Sequence, residues 1–126
     1  VSRILVIDDD YGNRVLLRHF LELEGHEVVE AGDGREGVIA GRGSRFDLVF
    51  TDMLMPEKDG IEVIMELLEG DPQMKIIAIS GGGRGLNAED NLRIAEQFGA
   101  LGTIAKPFEY QSVVALTRQL LGAYGT

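Results

Sequence analysis

Four short apolar runs in this chain each stop at a charged or hydroxyl residue. Ile4–Ile7 leads into Asp8, Asp9 and Asp10, and Leu48–Thr51 into Asp52. Ile76–Ile79 leads into Ser80, and Gly102–Ala105 into Lys106 and Pro107. Apolar runs of about 4–8 residues that alternate with helix-length segments read as parallel strands, because a strand covered by helices on both faces has no polar side. Open parallel sheets bind ligands outside the carboxyl ends of their strands. The acids, the hydroxyl and the lysine are therefore expected on one rim, though distant parts of the chain supply them. Carboxylates beside one ammonium and one hydroxyl suit a hard divalent cation and a phosphoryl group.

The remaining pattern fills in five strand–helix alternations. Arg3–Asp8 reads as the first strand. Gly12–Leu23 reads as a helix with Leu16, Phe20 and Leu23 on one face and Gly25 as its stop. Glu27–Ala31 is a strand charged at its start, hence an edge. Asp33 caps the next helix with Glu36 completing a capping box, and Phe46–Asp52 holds strand three. Asp59 and Glu62 repeat the box ahead of a helix bearing Ile61, Ile64, Met65 and Leu68, ended by Gly70 and Pro72. Lys75–Ser80 is strand four. A glycine-rich loop over 81–85 precedes a helix capped by Asn87, with Leu92, Ala95 and Phe98 as its core face. Gly102–Ala105 is strand five, and a last helix over about Glu109–Gly122 buries Val113, Leu116 and Leu120. Right-handed crossovers put helices on both faces of such a sheet. The expected class is α/β, a doubly wound five-stranded parallel sheet with five helices. Five strands in 126 residues favour the flavodoxin-like order 2-1-3-4-5 over the dinucleotide-binding order.

Length suits a single domain over residues 1–126. Twelve basic against 21 acidic residues give a net charge of −9, which disfavours direct nucleic-acid binding and repels anionic membranes. There is no cysteine, so disulfides, zinc–thiolate sites and cysteine nucleophiles are excluded. No apolar run approaches the ~20 residues of a membrane helix, and no secretory signal precedes the first strand, so a cytoplasmic protein is expected.

The segment Asp52-Met53-Leu54-Met55-Pro56-Glu57-Lys58-Asp59-Gly60 resembles the surroundings of the phosphorylated aspartate in response-regulator receiver domains. That family's pattern is Asp, two residues, Met-Pro, two residues, Asp-Gly. Asp8-Asp9, Ser80 and Lys106-Pro107 fall in the family's other functional places in the same order, so the resemblance covers essentially the whole chain. It implies the strand order 2-1-3-4-5, with Asp52 as phosphoacceptor. It implies Asp9 and Asp52 as direct Mg²⁺ ligands, Asp8 as a ligand through a bound water, and the Leu54 carbonyl as a further ligand. Lys106 would pair with one phosphoryl oxygen, Ser80 would donate a hydrogen bond to another, and Lys106-Pro107 would be a cis peptide. The implied donor is a sensor histidine kinase or a histidine phosphotransfer protein, docked with help from Asn13, Arg14, Val15 and Leu17. The implied output is a switch on the face of helix four, strand five and helix five, read by a downstream protein target or a linked effector domain. Such a chain is a signalling module with self-catalysed phosphorylation and dephosphorylation rather than an enzyme. Leu54 and Gly82 would flank the path of water to the acyl phosphate.

One position departs from that pattern. Thr103 stands three residues before Lys106, where the family has Tyr or Phe, so the aromatic relay of the switch is in question. The glycines at 81–85 predict a mobile loop. Three carboxylates on one rim predict mutual repulsion that a divalent cation relieves, stabilising the fold.

Other readings stand beside this one. Thr103 motivates a binding module whose partners do not depend on phosphate. A flavodoxin-like enzyme needs a Ser/Thr/Gly-rich phosphate loop after strand one, where acids stand instead. A haloacid-dehalogenase-like enzyme needs an aspartate two residues after its nucleophile, where Leu54 stands. Gly32–Gly37 matches G-x-G-x-x-G, but it follows the second strand, and a capped turn explains it better. Asp10 reads as a cap or solvated neighbour, His19 and His26 as solvated or capping residues, and Met53 and Met55 as packing.

Overall fold

The computed structural model describes residues 2–81 and 88–122. Strands and helices alternate along them: β1 (Arg3–Ile7), α1 (Tyr11–Leu23), β2 (Glu27–Ala31), α2 (Gly34–Gly43), β3 (Leu48–Asp52), α3 (Gly60–Gly70), β4 (Ile76–Ser80), α4 (Ala88–Gln97), β5 (Gly102–Ala105) and α5 (Tyr110–Leu121). Each strand pair is parallel, and the sheet runs β2-β1-β3-β4-β5. This is the expected doubly wound order, with β2 at one edge.

Alternate strand residues supply two cores. Leu5, Ile7, Val49 and Ala78 face Val38 of α2, Val63, Ile64 and Leu67 of α3, and Ala95 of α4. Ile4, Val6, Phe50, Ile77 and Ile79 face Leu17 and Leu21 of α1 and Val113 of α5. Side chains on a strand point alternately to opposite faces and both faces are covered, so β1, β3 and β4 are apolar through their middles, with Thr51, Asp52 and Ser80 at the carboxyl ends. Burying each such side chain stabilises the fold by roughly 1.5–3 kcal/mol.

The helix starts follow local chemistry. The Asp10 carboxylate accepts from Asn13 N–H at 3.2 Å and caps α1. Asp59 and Glu62 form a reciprocal capping box on α3. Asp33 accepts from Glu36 N–H at 2.8 Å, but the Glu36 carboxylate reaches back to Gly32 N–H, one residue before the cap. Gly25 follows α1 at φ 89°, a left-handed stop that favours glycine.

Several faces differ from expectation. In α1 the sheet takes Leu17 and Leu21, both fully buried, while Leu16 is 38% and Leu23 62% exposed and Phe20 is half-buried. Apolar residues at 16, 17, 20, 21 and 23 cover more than one stripe, and the position of the sheet selects 17 and 21. Leu17 is thereby withdrawn from any docking surface. Met65 of α3 is exposed, because Val63, Ile64 and Leu67 fill the core-facing stripe. Phe98 lies beyond the end of α4 and is 40% exposed. Leu116 and Leu120 of α5 are only partly buried, and Val114 and Thr117 join Val113 inside. The His26 ring is half-buried, with Nδ1 lacking a hydrogen-bond partner among the described residues, and burial lowers its pKa. Asn87, the Leu92 side chain and residues 82–87 of the glycine loop, Gly82 included, lie outside the described residues.

Two of the three glycines of the G-x-G-x-x-G match have a packing explanation. A Cβ on Gly34 would collide with the Lys58 carbonyl and the Val63 side chain, and one on Gly37 with the Ile7 side chain. They let α2 approach α3 and β1 closely. No helix among the described residues is long and apolar enough to cross a membrane.

Candidate functional site

The parallel register lines up the strand ends. Ile7 sits opposite Thr51, Asp52 opposite Ile79 and Ser80 opposite Ala105. Asp8, the residue after β1, therefore stands level with Asp52, and Lys106 leaves β5 next to Ser80. Asp8, Asp52 and Ser80 are all buried, while Asp9 is exposed. Carboxylate oxygens of Asp8, Asp9 and Asp52 lie within 4.8 Å of one another. Beside them opens a cleft of about 610 Å³ with Asp9, Asp52, Leu54, Pro56, Gly81 and Lys106 among its walls.

Each acid is held differently. Asp8 Oδ1 accepts from Asp10 N–H at 2.9 Å. The Asp8 carbonyl accepts from Arg14 Nη1 at 2.9 Å, and Arg14 Nε donates to Glu30 at 3.1 Å. Glu30 also accepts from Arg18 at 2.7 Å, a bond that with Arg14's lowers its pKa. Asp52 Oδ1 accepts from Leu54 N–H at 3.1 Å, and Oδ2 accepts from Lys106 Nζ at 3.0 Å. Lys106 Nζ also stands 3.2 Å from Asp8 Oδ2. That second contact is an ion pair whose angles fall short of a hydrogen bond, so Asp8 Oδ2 is buried without a hydrogen-bond partner among the described residues. The Lys106 N–H donates to the Ser80 carbonyl at 2.9 Å, and the Lys106–Pro107 peptide is cis.

Burial pushes the Asp8 carboxyl up to about 6. The Asp10 N–H opposes this, the charge on Asp52 adds to it and Lys106 partly offsets it. Burial disfavours the Lys106 ammonium, but the hydrogen bond and charge of Asp52, joined by Asp8, outweigh burial and raise its pKa. One cation thus serves two buried anions, and the third carboxylate adds uncompensated charge.

This donor set fits Mg²⁺. Its candidate ligands are all oxygens, and octahedral bonds of 2.0–2.1 Å put ligand oxygens about 3–4 Å apart, within the span found here. The orphaned Asp8 Oδ2 is a buried acceptor facing this cluster; burial raises the Asp8 pKa most, the charge on Asp52 adds to it, and a divalent cation would relieve that added repulsion.

Of the residues singled out in the sequence, Asp8, Asp9, Asp52, Leu54 and Lys106 meet at the cleft or directly beneath it. Ser80 ends β4 on the same rim, one position past the partner of Asp52. Thr103 does not join them: it pairs with Ala78 inside the sheet, is half-buried, and lines a separate groove of about 440 Å³ with Ile104 and Leu116. The spacing of the sequence did not single out Glu30, Arg18 or Gly81. A second glutamate near the end of the Glu27–Ala31 strand was the one available signal, and only the fold supplies its two arginines.

Comparison with known proteins agrees with this geometry. A family model described as response regulator receiver domain matches residues 4–118. Sporulation initiation phosphotransferase F of Bacillus subtilis is 32% identical over 112 residues, covering 89% of this chain and 87% of that protein. Transcriptional regulatory protein ResD of the same organism is 34% identical over 120 residues, and the chain spans about half (48%) of its length. The crystal structure of a response regulator receiver domain protein from Clostridium thermocellum superposes with a TM-score of 0.85 at 29% identity, covering 98% of this chain and 96% of that one. The match runs through every strand end that contributes to the acidic rim, and on it the chain belongs to the response regulator receiver domain family.

Proposed function

We propose that residues 1–126 act as one phosphoacceptor unit in two-component signalling, with Asp52 as the acceptor. The observation that carries this reading is the sharing of the Lys106 ammonium between Asp52, at 3.0 Å, and Asp8, at 3.2 Å, beside an open cleft. A carboxylate that attacks an anionic phosphoryl group needs positive charge at the phosphoryl oxygens. Lys106 stands where it can leave the Asp52 oxygen for one of them. Ser80, at the end of the neighbouring strand, is placed to donate a hydrogen bond to another. Asp8, Asp9, Asp52 and the Leu54 carbonyl would hold Mg²⁺, which when bound supplies charge neutralisation at the phosphoryl oxygens.

In the transfer, an Asp52 carboxylate oxygen attacks phosphorus of a phosphohistidine. The O–P bond forms, the P–N bond breaks, and its electron pair stays on the imidazole nitrogen, which takes up a proton. Hydrolysis by water at phosphorus later returns the free carboxylate and inorganic phosphate. The donor is a sensor histidine kinase or a histidine phosphotransfer protein, and Asn13, Arg14 and exposed Val15 of α1 adjoin the rim where it would dock. Similarity to a sporulation initiation phosphotransferase and to part of a transcriptional regulatory protein supports a place in phosphoryl-transfer signalling; the proposed setting is the cytoplasm, with output to a protein target or a linked effector.

The output face would be α4, β5 and α5. Thr103 favours a second reading, partner binding that does not require phosphate, because no aromatic side chain stands there to rotate inward. Partner affinity of wild type and Asp52→Asn, with and without a small phosphodonor, separates the two.

The direct test is incubation with a small phosphodonor and Mg²⁺ followed by intact-mass measurement. Wild type is expected to gain one phosphoryl group and Asp52→Asn none. Equal labelling of both proteins, or an unmodified and folded wild type, would overturn the assignment.

A further inference from the structure

We infer that Arg14, gripped by Glu30, is a positioning residue for the Asp8–Asp9 pair; its consequence for Mg²⁺ rests on the metal site of the phosphoacceptor reading. The ladder between β1 and β2 ends at the Ile7–Ala31 pair. One residue further on, the Asp8 N–H still donates to the Ala31 carbonyl at 3.2 Å. The Asp8 carbonyl then accepts from Arg14 Nη1 at 2.9 Å. That carbonyl belongs to the peptide unit joining Asp8 to Asp9. A peptide unit is planar, so a bond to its oxygen restrains the backbone of both candidate ligands at once.

The guanidinium is itself held in place. Arg14 Nε donates to Glu30 Oε1 at 3.1 Å, so one rigid planar fork ties β2 to the Asp8–Asp9 peptide. The Arg14 and Glu30 side chains are only 16% and 20% exposed. Nη1 lies 3.4 Å from where a Cβ on Gly32 would stand, and the guanidinium carbon lies 5.5 Å from the centre of the Tyr11 ring. The other Glu30 oxygen accepts from Arg18 Nη1 at 2.7 Å. Arg18 spends its remaining bond on Glu22, at 2.9 Å. Two arginines thus share one glutamate, and of the two Arg14 alone reaches the acidic segment.

Charge and geometry act in opposite directions here, and that decides the variants. Deleting a cation beside an acidic site strengthens cation binding, whereas loosening the ligands weakens it. Arg14→Lys keeps the charge and loses the fork. Its Mg²⁺ affinity by calorimetry is expected to fall roughly tenfold, the size of loss seen for groups that orient metal ligands. Arg18→Met takes a cation from the same glutamate without touching the Asp8–Asp9 peptide. It should bind Mg²⁺ as tightly as wild type or slightly more tightly. An Arg14→Lys affinity within about threefold of wild type, or an equal loss in Arg18→Met, would overturn the inference.

Amide hydrogen exchange in the metal-free protein gives a readout that needs neither Mg²⁺ nor phosphorylation. The Asp8 N–H, and the Asp10 N–H that donates to Asp8 Oδ1 at 2.9 Å, should exchange about threefold faster or more in Arg14→Lys. The Val6 N–H, in the middle of β1, should keep its wild-type rate. A merely structural role would lower global stability and speed all three amides together. That outcome, or unchanged exchange at Asp8 and Asp10, rules the positioning role out. If wild type binds no Mg²⁺ but the local exchange difference is found, the metal site of the phosphoacceptor reading fails while the hold of Arg14 on the Asp8–Asp9 peptide stands.

Discussion

Lys106 is the only cation paired with the carboxylates of the two buried acids among the described residues, and its side chain is itself mostly buried. Removing one partner of a buried ion pair leaves the other charge uncompensated, at about 3–5 kcal/mol for a fully buried pair. Lys106 keeps some access to water, so Lys106→Met, which retains an apolar stem, is expected to cost about 1–3 kcal/mol at pH 8. The cost should shrink at pH 5, where Asp8 can take up a proton and remove one of the stranded charges. Urea unfolding at the two pH values checks this, and equal losses at both would show that Asp8 is not the stranded group. The residues of this cluster were legible in the sequence because each ends an apolar run, and a parallel sheet delivers strand ends to one rim. Arg14 was legible only as a surface residue. Its bond to the Asp8 carbonyl depends on Glu30 of the neighbouring strand, and no spacing rule connects positions 8, 14 and 30. Gly81 was legible as a loop glycine, but its place in the cleft wall beside Lys106 depends on the path that the lysine side chain takes to Asp52 in the folded sheet.

At the scale of elements, helix boundaries read well and helix faces less so. Boundaries are set by local bonds, such as the two halves of the Asp59–Glu62 box, at 3.0 Å for the Glu62 N–H and 3.4 Å for the Asp59 N–H. Faces are set by where the sheet lies. In α1 two apolar stripes competed and Leu17 and Leu21 went inside. In α3 Met65 remained outside because its neighbours Ile64 and Val63 already met the core. Unequal bonds in the box predict unequal costs. Asp59→Ala loses the shorter bond and the favourable placement of a carboxylate at the helix start, and should destabilise by about 1 kcal/mol. Glu62→Ala loses the long bond and a first-turn carboxylate but brings in the best helix former, and should cost less, about half as much or below. Equilibrium unfolding of the two single variants measures both, and the reverse order would mean that Glu62 holds the start of α3.

For the whole molecule, the acidic rim is expected to make stability depend on pH and, through the proposed metal site, on divalent cation in linked ways. Asp8 rises from an ordinary value of 3.8 to about 6 in the fold. Between those values the folded state binds more protons than the unfolded chain, so the contribution of Asp8 to stability falls as pH rises from about 4 to 6. The shift corresponds to a penalty on the order of 3 kcal/mol above pH 6. Glu30 works in the opposite sense: its depressed pKa adds stability above the unfolded value, and that stability is lost as pH falls through the folded value. The Asp8 contribution is therefore read from the difference between wild type and Asp8→Asn, which should gain stability relative to wild type as pH rises through 4–6. Mg²⁺ held at the proposed site would compete with the Asp8 proton. In wild type the rise in melting temperature on adding millimolar Mg²⁺ should be small at pH 5, grow through pH 6 and level off near pH 7, and chelation should abolish it. A Mg²⁺ response of constant size from pH 5 to 7.5 would mean that the ion binds away from Asp8, and the proposed metal site would have to be rebuilt on Asp9, Asp52 and the Leu54 carbonyl.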